Sequence, residues 1–284
     1  MDTSSVASAF TAAGLGQMAH IVDKLVMPSI RIKVTPADDS KLPVGVSKLG
    51  GLPDLPAMYE WPTLKEAPMS FIAQLRLDEL KGIEGASALP NSGMLWFFYD
   101  AAQQTFGSDP GDRAGRQIYF QDHISDGQLH RTAAPAALAA NGRFKPCALT
   151  FSNELTLPDR PQTEVPSLTL SKDDQKRYES LYAAFPSKEA HTTAQHRLLG
   201  HPDTIQDDMR GQCQLMSNGI TTVTDPGATD LLKNANDWQL LLQVDSDDAA
   251  AMQWASSGML YFWIKRSDLA ARNFDGVWVV LQSE

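Results

Sequence analysis

The chain has 284 residues, 43% of them hydrophobic and 20% charged, with 17 Pro, 19 Gly and a formal net charge of −10. That balance excludes disorder and low complexity, and its sign disfavours phosphate backbones and anionic lipid surfaces as partners. Two cysteines, Cys147 and Cys213, exclude a disulfide framework and fit a reducing cytosol, and no apolar run reaches the roughly 18 residues of a membrane span.

In chain order, the N-terminus opens Met1-Asp2 without a basic region, so no signal peptide is expected and a cytoplasmic location is. Residues 5–26 predict an amphipathic helix carrying Val6, Phe10, Met18, Ile21, Val22 and Leu25, ended by Pro28. "KLGGLPDLP" (Lys48–Pro56) carries the motif Gly-x-Pro-Asp. "FIAQLRLD" (Phe71–Asp78) alternates like a strand with one polar face, while "SGMLWFFYD" (Ser92–Asp100) is continuously apolar after Ser-Gly, which suits a strand covered on both faces. "QIYF" (Gln117–Phe120) is a further strand, and the rest of 101–170 predicts loops and short strands. Ser171 with Asp174 resembles a capping box for a helix bearing Tyr178, Leu181, Tyr182 and Phe185, stopped by Pro186. Asp203 is expected to cap a helix with Ile205, Met209, Cys213 and Met216 on one face, and Ser267 a short one. "LLLQVDSD" (Leu240–Asp247), "SGMLYFWIK" (Ser257–Lys265) and "VWVVLQ" (Val277–Gln282) complete the strands.

These elements recur. Gly51-x-Pro53-Asp54 returns as Gly200-x-Pro202-Asp203, the Gln74 strand as the Gln243 strand, and SGML at Ser92 as SGML at Ser257, in the same order. The repeat is too long for a solenoid, whose units run about 20–50 residues. The expected fold is therefore α+β and internally duplicated, two β-rich halves packed together with a few flanking helices. It forms a single domain over 1–284, with halves at about 28–125 and 196–284. The joining segment 126–195 is irregular and holds one helix.

No motif for a serine nucleophile, a phosphate loop or a dinucleotide fold is present. Cys147 has no neighbour that would activate it, and Cys213 falls on an apolar helical face. Basic residues are dispersed, which argues against nucleic acid. The last third concentrates the acidity, with 6 basic and 12 acidic residues over 196–284. Asp203, Asp207, Asp208, Asp245, Asp247 and Asp248 are the candidate contacts for a basic protein partner. Imidazole beside carboxylate is also acid–base or metal chemistry, so His196 with Asp203 or with the Asp245–Asp248 run is the alternative, a metal-dependent hydrolase. No cofactor is called for; a divalent cation at that run is the one candidate, although the EF-hand pattern is absent. Gln74, Gln243 and Trp61 are the candidate lining of a small-molecule groove between the halves. Trp61 and Trp254 lie in irregular stretches and are the surface candidates among six tryptophans.

The segments "MPSIRIKV", "SKLGGLPDLP", "EWP" (Glu60–Pro62), "MSFIAQL", "LPNSGMLWFFYD", "HRLLGHPDTIQ", "DWQLLLQVDSDD" and "SGMLYFWIKRSDLAARNFDGVWVVLQ" together resemble the YwqG-like family of bacterial domains of unknown function. The resemblance implies a compact, internally duplicated α+β fold and assigns no reaction. Relatives stand beside toxin and secretion loci, which implies an immunity role, so the leading expectation is a non-enzymatic module that docks on a cognate toxin domain.

Overall fold

The computed structural model describes residues 3–125, 127–187 and 191–284; residues 126 and 188–190 of the joining segment lie outside the described residues. The N-terminal layer is α1 (Thr3–Ala12), a 3-10 turn and α2 (Val22–Leu25). Strands β1 (Met27–Pro36), β2 (Lys48–Leu49), β3 (Asp54–Pro56), β4 (Thr63–Leu64), β5 (Ala67–Pro68), β6 (Ser70–Arg76), β7 (Met94–Tyr99), β8 (Arg116–Gln121), β9 (Leu129–Arg131) and β10 (Cys147–Thr156) follow. Then come α3 (Lys172–Tyr182), β11 (His196–Leu198), α4 (Arg210–Ser217), α5 (Ala228–Leu232), β12 (Trp238–Asp245), β13 (Met259–Lys265), α6 (Arg266–Ala270) and β14 (Trp278–Gln282).

Ten strands make one antiparallel sheet in the order β14-β13-β12-β11-β1-β10-β2-β6-β7-β8. The sheet curls until its ends nearly meet. Leu281 N–H donates to Phe106 O at 3.4 Å, and the Arg116 Nε–H donates to Val277 O at 2.8 Å. These contacts partly cover the sheet edges, which when exposed invite aggregation.

The flanks β2-β6-β7-β8 and β11-β12-β13-β14 share one register. Lys48 faces Gln74 as Arg197 faces Gln243. Trp96 faces Tyr119 as Tyr261 faces Val280, and Met94 faces Gln121 as Met259 faces Gln282. Both flanks carry a bulge at the matching place, between Phe71 and Ala73 and between Leu240 and Leu242. In the middle of the sheet β1 lies beside β11 and β10 beside β2.

The echoed strands meet inside. Leu95, Phe97 and Tyr99 of β7 and Leu260, Phe262 and Ile264 of β13 point into one buried core. The Phe97 and Phe262 rings touch edge-on, centroids 5.1 Å apart, an arrangement aromatic quadrupoles favour. The other faces are covered too. Tyr261, Trp263 and Trp278 pack under α4 and α5 with Met209 and Cys213, and Trp96 and Phe98 pack under Leu55, Tyr59 and Trp61. Two covered faces are why both runs are apolar at every position. A third cluster seats Val6, Phe10 and Met18 of the N-terminal layer on Tyr178 and Phe185.

The Ser-Gly ahead of each run has a steric origin. A Cβ on Gly93 would stand 2.3 Å from Gln121 O, and one on Gly258 would stand 2.5 Å from Gln282 O, the matching carbonyl. Gly93 also has φ +98°, whereas Gly258 requires only the close approach. Gly93→Ala and Gly258→Ala are each expected to cost about 1–3 kcal/mol, Gly93 more because strain adds to overlap. Urea midpoints of the two variants would check this.

Several local expectations are corrected. The 5–26 helix is broken after Ala12 because Gly14 takes φ +74° and a 3-10 turn intervenes. Asp203 caps no helix; α4 starts at Arg210, where Asp208 accepts the Arg210 N–H at 3.2 Å. Ser267 lies within α6, which follows Lys265. Cys147–Thr156, within a segment expected to hold loops and short strands, is the ten-residue strand β10 at the centre of the sheet. Ser171 does cap α3, accepting the Asp174 N–H at 3.1 Å. Trp254 is fully buried and presents no surface.

Candidate functional site

Two charge clusters pin the corners of the sheet. The chain turns at Gly50-Gly51 and at Leu199-Gly200, all four in the left-handed region, and delivers an aspartate to a glutamine on the neighbouring strand. At the first corner Gln74 Oε1 accepts the Asp54 N–H at 2.7 Å, and its Nε2 donates to Asp54 Oδ2 at 2.8 Å and to Val46 O at 2.7 Å. At the second, Gln243 Oε1 accepts the Asp203 N–H at 2.9 Å, and Nε2 donates to Asp203 Oδ2 at 2.8 Å and to Gln195 O at 2.6 Å. Each aspartate carbonyl accepts one aromatic donor, Trp96 Nε1–H at 2.9 Å or Tyr261 O–H at 2.6 Å.

A cation closes each cluster. Arg197 bonds Asp203 at 2.8 Å. Asp54 receives Arg131 at 2.6 Å and lies 3.7 Å from Lys48, itself buried and bonded to Asp39 at 2.8 Å. Burial alone would raise the Asp54 carboxyl, but Arg131, the Gly45 N–H, Lys48 and Gln74 together hold it below the usual carboxylate value. Buried charges persist when paired and hydrogen-bonded in this way. Gln74 and Gln243 are therefore not groove-lining residues: both are fully buried with their amides satisfied by protein. Trp61 lines a pocket whose walls include neither glutamine. The cations Lys48 and Arg197 were overlooked in the sequence, although both stand three residues before the motif glycine.

The six candidate aspartates divide. Asp203 belongs to the second corner. Asp207 bonds Arg160 at 2.9 Å, and Asp208 bonds Arg210 at 3.1 Å, which also holds Glu164. Asp245, Asp247 and Asp248 stand together where β12 ends. They wall an open cleft of about 430 Å³, which adjoins a second of about 480 Å³ running along Lys33, Val34 and Thr35 of β1; Ala194 and Asp247 line both. Asp248 is exposed; Asp245 and Asp247 are half-buried. Burial pushes the Asp245 carboxyl up, while the bond from His196 holds Asp247 down.

His196 sits at the floor of this trough, 1% exposed. Its Nδ1 accepts the Asp245 N–H at 3.1 Å, so the ring proton is on Nε2, which donates to Asp247 Oδ2 at 3.0 Å. Both nitrogens are committed, leaving no lone pair for a base or a metal ligand. The expected partnership of His196 with Asp203 is not formed, because Asp203 is held by Arg197 and Gln243. Among the described residues no group of three or more His, Cys, Asp and Glu comes together as a metal-ligand set.

His201 is the other buried imidazole. Its Nε2 donates to Leu25 O at 2.9 Å, and burial, with Arg210 and Arg197 nearby, pushes it down to about 3 from 6.5. The folded chain thus refuses a proton that the unfolded chain takes up below about pH 6.5. Stability is expected to fall as pH drops from 6.5 toward 3, by up to about 1.4 kcal/mol per pH unit. Urea titrations across that range should show the slope, and His201→Gln should flatten it.

Fold and site together define an α+β protein built on a large, nearly closed antiparallel sheet, with charge locked at two corners and an open, carboxylate-walled trough. Residues 47–283 match the family model described as Domain of unknown function (DUF1963), and the chain belongs to that family. A comparison with curated proteins found no match. Among the described residues no helix is long and apolar enough to cross a membrane.

Proposed function

We propose that the chain is a non-enzymatic binding protein that seats a basic segment of a protein partner in the trough walled by Asp245, Asp247 and Asp248. One observation carries this reading: three carboxylates converge on joined clefts of about 430 and 480 Å³, while the histidine there is spent on internal bonds. Asp203, Asp207 and Asp208 are already paired with arginines and stand outside the trough lining, so the contact falls to the other three. The YwqG-like resemblance makes a cognate toxin domain the partner of choice and the role immunity-like, in the cytoplasm. The matched registers of the two flanks support one domain derived from a duplicated unit, with halves at about 28–125 and 196–284.

The test is binding to the product of the adjacent gene. Wild type should capture it with an on-rate that falls steeply with salt, and Asp248→Lys, at an exposed position, should weaken capture at least about tenfold. Because the Asp245 carboxyl is raised, a cation docking there displaces its proton, and capture should strengthen as pH rises. Capture indifferent to Asp248→Lys and to salt, or no capture and no protection of cells making that product, would remove the reading.

A further inference from the structure

A second site lies at the other corner of the sheet. A pocket of about 220 Å³ opens between Trp61, Phe71, Leu52, Leu138 and Phe144, with Asp39 and Arg143 on its lining. Its walls are mainly apolar, and its volume exceeds the roughly 150 Å³ that accepts benzene in an engineered cavity. An aromatic group of one ring, or of indole size, fills such a space, and Trp61 and Phe144 offer it ring faces and edges.

Among the lining residues Asp39 and Arg143 carry charge. The Asp39 carboxylate is already engaged, by Lys48 at 2.8 Å, by the Leu52 N–H at 2.8 Å and by Arg131 at 3.4 Å. Asp54 behind it is engaged by Arg131 and Gln74. The Asp39 charge is thus neutralised from behind, and Arg143 is the cation on the lining. Arg143 spends Nε on Leu138 O and Nη2 on Pro135 O and Ala136 O; its Nη1 has no partner among the described residues. Ser70 adds a buried hydroxyl without a hydrogen-bond partner. It stands against the lining, since a Cβ on Gly142 would come within 2.8 Å of Ser70 Oγ and 3.2 Å of Leu138 Cδ1. A buried polar atom left unmatched calls for a partner.

We infer that this pocket binds a compact aromatic carboxylate, the ring between Trp61 and Phe144 and the carboxylate on Arg143. Occupation leaves the trough free, so the site is independent of the protein partner proposed above.

Benzoate and its neutral analogue benzyl alcohol are the probes, followed by thermal shift and by the ¹H–¹⁵N cross-peak of the Trp61 indole, assigned with Trp61→Phe. Benzoate should raise the melting temperature and move that cross-peak, and benzyl alcohol should bind at least tenfold more weakly. Arg143→Met should lower benzoate affinity at least tenfold while leaving benzyl alcohol unchanged. Ala134→Trp, at a half-buried lining position, should abolish both without unfolding the chain. No response to benzoate, equal binding of the two probes, or binding undiminished in Ala134→Trp would each overturn the assignment. If Arg143→Met fails to fold, the preference of wild type for benzoate over benzyl alcohol decides the carboxylate claim.

Discussion

Asp54→Ala is expected to remove about 3–5 kcal/mol of stability, the usual consequence of deleting one partner of a buried ionic cluster. Domains of this size retain on the order of 5–15 kcal/mol, so the variant should stand near the edge of folding. The loss has a definite source. Arg131 and Lys48 are left without their shared carboxylate, the Gly45 N–H loses its acceptor, and Gln74 loses one of its bonds. Asp54→Asn keeps the shape and part of the hydrogen bonding, and it should still show most of the loss because the charge is gone. Urea denaturation followed by near-ultraviolet circular dichroism is the measurement; a cost below about 1 kcal/mol for both variants would contradict the buried cluster. The same carboxyl gives acid sensitivity. Its folded value lies below the unfolded value of about 3.9, so its stabilisation is present above that pH and is lost as acid carries it through the folded value.

Trp254→Ala should cost about 3–5 kcal/mol, as for other large aromatic residues deleted from cores. Trp254 is 0% exposed, its ring 5.4 Å from Phe144 and 6.1 Å from Tyr99, and it anchors the β12–β13 connection across the end of the sheet. Its Nε1–H donates to Asp245 O at 3.2 Å, and its backbone N–H donates to Ser246 Oγ at 3.0 Å. The cavity left by alanine would therefore loosen the acidic wall of the trough as well as the core. Trp254→Phe should retain most of the packing and lose about 1 kcal/mol with the indole bond. Loss of stability in Trp254→Ala accompanied by weaker partner capture, and near-normal capture in Trp254→Phe, would tie the hairpin to the site.

The strands were legible where both faces are covered. β7 and β13 announced themselves as unbroken apolar runs, and their repeated Ser-Gly marked the place where a partner carbonyl closes on the backbone. β10 was illegible because its pattern is weak: Thr150, Ser152 and Asn153 are exposed, and prolines flank it, although neighbours on both sides fix it at the centre of the sheet. The repeated Gly-x-Pro-Asp and the glutamine strands were visible, yet their joint role was not. An amide on a strand says nothing of whether it meets a ligand or a turned backbone. That Gln74 reaches the Asp54 amide depends on a corner twenty residues earlier in the chain.

The sequence alone determined the order of the echoed elements, the burial of the aromatic strands and the acidity of the last third, since apolar patterning and charge are properties of local composition. Only the tertiary structure decided which carboxylates are paired with arginine. It paired Asp203, Asp207 and Asp208 with arginines, bound both nitrogens of His196, and left Asp245, Asp247 and Asp248 around an open trough. The reason is physical: whether a charge is available depends on which opposite charge folding brings within about 4 Å, and that distance is set by sheet register rather than by spacing along the chain.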